Sequence, residues 1–236
     1  MQANTLAFDA LILAGGRSSR LGGVPKQTLV FRGKTLLEWA LAAASGAWRT
    51  VVVGDAGLLG VTAAPVPGTA PPAAVLSCRE EPPFSGPAAA IAAGLETLAN
   101  NGGGSPVTLV LACDMPLSAQ AVAALRHALA ATPVEAARVR SVMAAAEDGR
   151  PQPLAAFYNT AELTHACREL AARNALANGS VRALLANLDV QLVTVPAGST
   201  SDVDTWDDAA ALGMAAGNQR GRQDRRTGDT NVGGNS

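Results

Sequence analysis

The chain has 236 residues, 48% of them apolar, with a formal charge of -1 and a pI near 6.1. That length buries one sizeable core and leaves two full domains cramped. Near-neutrality excludes a sequence-independent grip on nucleic acid, which needs an extended basic surface.

Met1 to Thr5 reads as a loose end, without the cationic start, apolar core and cleavage site of a secretory leader. Ala7 to Leu13 has the apolar content of a buried first strand, and the run Ala10 to Ala14 is much too short to span a bilayer. The expectation is a soluble, cytoplasmic protein with no membrane partner. Gly15-Gly16 stops the strand. After a basic loop, Leu29-Val30-Phe31 and a turn at Arg32-Gly33-Lys34 lead to Thr35, the predicted N-cap of a helix carrying Leu36, Leu37, Ala40, Leu41 and Ala44. Thr50 to Gly54 is β-branched and glycine-ended, the second strand of a strand–helix–strand unit.

Ala56 to Ala74, rich in Gly, Pro and Ala, predicts an irregular excursion, with weak strands near Val61 and at Val75-Leu76. Ser85-Gly86-Pro87 opens a helix through Ala99, ended by Asn100-Asn101-Gly102-Gly103-Gly104. Val107 to Ala112 is the strongest strand, an apolar run of the kind buried on both faces. Cys113-Asp114-Met115-Pro116 follows it, and Ser118 is the predicted N-cap of a helix from Ala119 to Ala131. Ser141 to Ala145 and Leu154 to Tyr158 flank the turn Glu147 to Pro151 and read as two strands that need not be parallel to the others. Ala161 to Ala177 and Val181 to Leu188 read as helices, Val190 to Val195 as the last strand and Thr205 to Ala216 as the last helix.

This alternation predicts an α/β fold: three-layer and Rossmann-like, with a mostly parallel sheet and helices on both faces. Residues 6–216 form a single expected domain. Gly217 to Ser236, where only Val232 is strongly apolar, is expected to be a disordered tail. Cys78, Cys113 and Cys167 stand far apart and form no CxxC pair, so neither a disulfide framework nor a zinc site is indicated.

From Ala10 to Leu37 there is no acidic residue, while Arg17, Arg20, Lys26, Arg32 and Lys34 concentrate positive charge. Glycines let backbone N–H groups approach a phosphate closely, and the Arg and Lys side chains neutralise it. Two familiar phosphate loops fail on spacing. A Walker A match ending at Gly33-Lys34-Thr35 requires glycine where Thr28 stands, and a GxGxxG match from Gly15 requires it at Arg17. Ligands of an open parallel sheet bind at the carboxyl ends of its strands, so parallel neighbours ending in Gly15-Gly16 and in Cys113-Asp114 would face one crevice.

Leu13-Ala14-Gly15-Gly16-x-Ser18-x-Arg20-Leu21-Gly22-Gly23-Val24-Pro25-Lys26 resembles the signature of the nucleotidyltransferases that include the molybdenum cofactor guanylyltransferases. Ser85-Gly86-Pro87-Ala88-Ala89-Ala90-Ile91, Cys113-Asp114-Met115-Pro116, Pro151 to Tyr158 and Asp202-Val203-Asp204-Thr205 continue the resemblance in family order over roughly residues 8–213. The resemblance implies the nucleotide-diphospho-sugar transferase-like form of the α/β fold. It also implies a nucleotide pocket drawn from Leu13, Ala14, Gly15, Gly16, Arg17, Ser18, Gly86 and Pro87, with Arg20 and Lys26 on the triphosphate and Asp114 on Mg²⁺.

The implied reaction transfers GMP from GTP to the phosphate of molybdopterin and releases pyrophosphate, in a monomer or small homo-oligomer. Mg²⁺ is a hard ion that one or two carboxylates can anchor beside phosphate oxygens and water. Asp204 is the candidate second carboxylate; the alternative reading of Asp202 and Asp204, with Asp207 and Asp208, is an acidic helix N-terminus favoured by the dipole. A phosphate monoester is already a nucleophile at neutral pH, so alignment and charge neutralisation suffice and no histidine is needed. His127 and His165 read as ordinary helix residues. Ala90 stands where relatives often have glycine, and Trp206 where they often have proline; Trp206 is expected to pack the last helix onto the sheet. Glu80 and Glu81 both lie where relatives often place an acid near the base. CTP with the same acceptor, an NTP with a sugar or other small-molecule phosphate, and a non-catalytic nucleotide-binding protein are the competing readings.

Overall fold

The computed structural model describes residues 7–16, 21–55, 75–131 and 140–213. β1 (Phe8–Leu13) is buried at every position, which is why its sequence is a run rather than an alternation. The hairpin of β2 (Val30–Phe31) and β3 (Lys34–Thr35) leads into α1 (Leu36–Ala43). Thr35 caps that helix as expected: its Oγ1 accepts the Glu38 N–H at 3.1 Å, and the Glu38 carboxylate accepts the Thr35 N–H at 2.7 Å.

β4 (Thr50–Val53), β5 (Val75–Cys78), α2 (Pro87–Asn100), β6 (Val107–Ala112) and α3 (Ser118–Ala130) come next. β7 (Ser141–Ala145), β8 (Pro151–Asn159), α4 (Thr160–Ala172), the short α5 (Val181–Leu184), β9 (Val190–Thr194) and α6 (Trp206–Ala211) complete the order.

Seven strands form one sheet in the order β5-β4-β1-β6-β8-β7-β9. Only β8 runs against its neighbours, β6 and β7; the other pairs are parallel. The tight turn between β7 and β8 leaves no room for a crossover, and a hairpin connection makes its strands antiparallel. One face packs against α1 and α3 through Leu37, Ala40, Val122 and Leu125. The other packs against α2, α4 and α5 through Ile91, Leu95, Leu163 and Leu184. The expected three layers are therefore present.

Some expectations fail locally. Ser118 is the first residue of α3 rather than its cap; Leu117 holds the cap position without a side-chain bond, and the Ser118 hydroxyl is buried with no partner. The helix expected through Ala177 stops at Ala172, because Asn174 and Asn178 take positive φ of 54° and 59°. Trp206 does not pack the last helix down, being 38% exposed; Ala209 and Leu212 do so, in a small cluster with Leu21, Phe31 and Val203. The excursion expected at Ala56 to Ala74, the tail from Gly217 and the loop residues Arg17, Ser18 and Arg20 lie outside the described residues. Among the described residues, no helix is long and apolar enough to cross a membrane.

Candidate active site

β1 and β6 are parallel neighbours in register, Leu13 facing Ala112, so the glycine loop and Cys113-Asp114 leave the sheet at the same edge. Leu13 is buried, and its carbonyl accepts the Cys113 N–H at 3.0 Å; the Ala14 N–H donates to the Val53 carbonyl at 2.8 Å. The strand ends are thus tied together just where the chain turns into chemistry.

Lys26 begins a short 3-10 turn, Lys26–Thr28, behind Pro25. Its ammonium donates to Asp114 Oδ2 at 3.0 Å and also to Asp204 Oδ1. Three segments far apart in sequence therefore meet at one atom. Asp204 is delivered there by backbone pairing, the Val203 N–H donating to the Asp114 carbonyl at 3.0 Å. The Lys26 and Asp114 side chains are 19% and 20% exposed, open enough for a ligand and buried enough to strengthen their charges.

Burial pushes the Asp114 pKa up, with Lys26 opposing the shift and Asp202 adding to it. Burial disfavours the Lys26 charge too, but the bonds to Asp204 and Asp114 outweigh it and its pKa is raised. The acidic run after Asp202 divides its duties. Asp208 makes a capping box with Thr205, accepting that residue's N–H at 2.7 Å, while Asp204 turns towards Lys26. The helix N-terminal reading therefore describes Asp208, whereas the Asp204 side chain meets Lys26.

Beside this cluster lies a cavity of about 410 Å³, lined by Ala14, Gly15, Gly16, Gln27 and Glu80 among others. Gly16 has a φ of 138°, a conformation closed to most side chains. A Cβ on Gly15 would stand 4.0 Å from Glu80 Oε1. The two glutamates differ in burial: Glu80 is buried and lines the cavity, whereas Glu81 is exposed. Gly86 and Pro87 open α2, Gly86 with a φ of 89°, but do not line this cavity. Arg79 and Phe84 do line it, and sequence reasoning missed them; their place just after β5, at the same sheet edge, was the available signal. His127 and His165 are exposed on α3 and α4, as expected.

No cluster of three or more His, Cys, Asp or Glu side chains able to hold a metal occurs among the described residues. Two carboxylates converging on one cation do occur, and that donor set fits Mg²⁺, which takes its remaining ligands from phosphate and water.

A molybdenum cofactor guanylyltransferase of Methylibium petroleiphilum is 32% identical over 152 residues, 64% of this chain and 68% of that protein. Molybdopterin-guanine dinucleotide biosynthesis protein A of Archaeoglobus fulgidus superposes with a TM-score of 0.59 at 19% identity, over 86% of this chain and 96% of that one. The 2-C-methyl-D-erythritol 4-phosphate cytidylyltransferase of Francisella tularensis superposes with a TM-score of 0.63 at 13% identity, over 88% and 98% of the two chains. These neighbours share the nucleotide-diphospho-sugar transferase-like fold expected from the sequence. The model of the MobA-like NTP transferase domain matches residues 10–193, and the chain belongs to that family of nucleotidyltransferases.

Proposed function

We propose that the protein transfers GMP from GTP to the phosphate of molybdopterin, releasing pyrophosphate, with Mg²⁺ as cofactor. The observation that carries this reading is the convergence of Lys26, Asp114 and Asp204 on one point beside the glycine-loop cavity. The guanylyltransferase relative supports the choice of nucleotide and acceptor.

In this reading the cavity takes the nucleoside, with the backbone N–H groups of Gly15 and Gly16 turned to the phosphates. Lys26, with Arg20 of the same loop, holds the triphosphate, and a phosphate replaces carboxylate as the partner of the Lys26 ammonium. Asp114 and Asp204 hold Mg²⁺, which supplies charge neutralisation on the triphosphate. The acceptor phosphate oxygen attacks the α-phosphorus, a new P–O bond forms, and the bond to the β-phosphate bridging oxygen breaks to leave pyrophosphate. The side chains align and neutralise charge, and no protein group has to take up a proton.

The second reading, a different NTP and a sugar or other small-molecule phosphate, draws on the cytidylyltransferase neighbours. The guanylyltransferase relative, 32% identical over 68% of its length, favours the first. Pyrophosphate release is the test, measured for GTP, CTP, ATP and UTP, with and without Mg²⁺, against molybdopterin and a panel of sugar phosphates. Mg²⁺-dependent release from GTP with molybdopterin is expected; release only with another pair would replace the reading.

A further inference from the structure

Phe84 stands out among the residues of the nucleotide cavity. It lies in the connection between β5 and α2, its φ is +64°, and the residue is 45% exposed. A bulky aromatic residue rarely adopts that backbone conformation. The segment is nevertheless held in place from several sides. The Phe84 N–H donates to Glu80 Oε1 at 2.9 Å, the Ser85 hydroxyl donates to the Pro82 carbonyl, and the Asn178 N–H donates to the Ser85 carbonyl at 2.6 Å. The Arg79 guanidinium lies 5.1 Å from the centre of the Phe84 ring, covering one face. Arg79, Glu80 and Phe84 all line the cavity, together with Gly15 and Gly16.

We infer that the Phe84 ring is the surface on which the nucleobase stacks, and that it sets the preference for a purine. The inference rests on the proposed nucleotide site and adds a residue to it. Aromatic faces bind base faces through dispersion and quadrupole contact, and the two-ring purines present more area than cytosine or uracil. The strained backbone carries the ring into the cavity and, through the same residue's N–H, pins one oxygen of Glu80. The second oxygen of that buried carboxylate is left for an N–H donor on the edge of the stacked base. The backbone bond therefore couples stacking and edge recognition at one residue.

The experiment measures equilibrium binding of GTP, CTP and inorganic tripolyphosphate, each with Mg²⁺, to the full chain and to Phe84→Gly and Phe84→Asn. Both replacements adopt positive φ readily and keep the N–H that pins Glu80. GTP binding is expected to weaken about tenfold or more, the scale of one lost base–aromatic stack. CTP should weaken less, tripolyphosphate not at all, and the melting temperature of the ligand-free glycine variant should stay level or rise as strain is released. Unchanged GTP binding in variants of a protein that prefers GTP to tripolyphosphate overturns the inference alone. Equal weakening of GTP and tripolyphosphate overturns it too, placing the ring's effect on the loop rather than the base. A wild-type protein that binds GTP no tighter than tripolyphosphate overturns the nucleotide reading itself, and the inference with it.

Discussion

Asp114 is held under opposing demands. Burial raises the free energy of its charged form, and Lys26 opposes this only in part, so the carboxylate pKa lies above its ordinary value. A group whose protonated form the folded state favours lowers stability at neutral pH, where it is ionised. Asp114→Asn removes that burden and still offers Lys26 an oxygen acceptor. The ligand-free variant is expected to melt at or above the wild-type temperature, and a drop of several degrees would instead mark the ion pair as a net stabiliser. Other buried groups set the alkaline limit. Burial raises the pKa of Cys113 and of Tyr158, and that of Cys167 to about 12. In the unfolded chain thiols ionise near about 8.5 and tyrosine near about 10. Above those values the unfolded state holds fewer protons than the folded one, so stability falls as pH rises. Lys26 acts in the same direction at still higher pH, since its raised pKa contributes stability that is lost as the pH climbs through it. Denaturant midpoints taken between about pH 7 and about pH 10 should decline, and a flat profile would contradict the burial of these groups.

Elements declare themselves in the sequence when their signals are local. The Thr35 cap of α1 lies beside its partner Glu38, and the β-branched run of β4 needs no distant information. Ser118 misled because an N-cap is a matter of backbone angles, and the chain turns one residue earlier, at Leu117. Ser118→Ala separates the two descriptions. Loss of a true cap costs about 1 kcal/mol, whereas removal of a buried hydroxyl without a partner is expected to leave stability unchanged or raise it. Gly94 is a further element-level feature that local reading passes over. On propensity alone, alanine would strengthen α2 by roughly 1 kcal/mol. A Cβ there would meet Leu11 Cδ2 at 2.8 Å and Val53 Cγ2 at 3.0 Å, both on fully buried side chains of the sheet. Overpacking of this kind costs about 1–3 kcal/mol, so Gly94→Ala is expected to lower the melting temperature. A rise would show that the helix can back away from β1 and β4.

Across the whole molecule, legibility divides by distance along the chain. The fold was readable because strand and helix signals alternate, and the site partly so, because Gly15-Gly16 and Asp114 each end a strand in the same parallel sheet. The position of Asp204 was not decided by spacing: that it meets Lys26 while Asp208 makes the capping box emerges only in the folded chain. Glu80 and Glu81 are neighbours in sequence, and only burial separates them. Phe84 carries no pattern at all; its place follows from a backbone angle and from bonds to residues on other elements. The central claim is that Lys26 and Asp114, 88 residues apart, are two parts of one nucleotide-transfer site. It is tested most directly by pyrophosphate release from GTP with Mg²⁺ and molybdopterin, comparing wild type with Asp114→Asn. Release by the wild type and its loss, by at least about a hundredfold, in a variant that keeps its fold is the predicted result. Equal release by the two proteins would contradict the account.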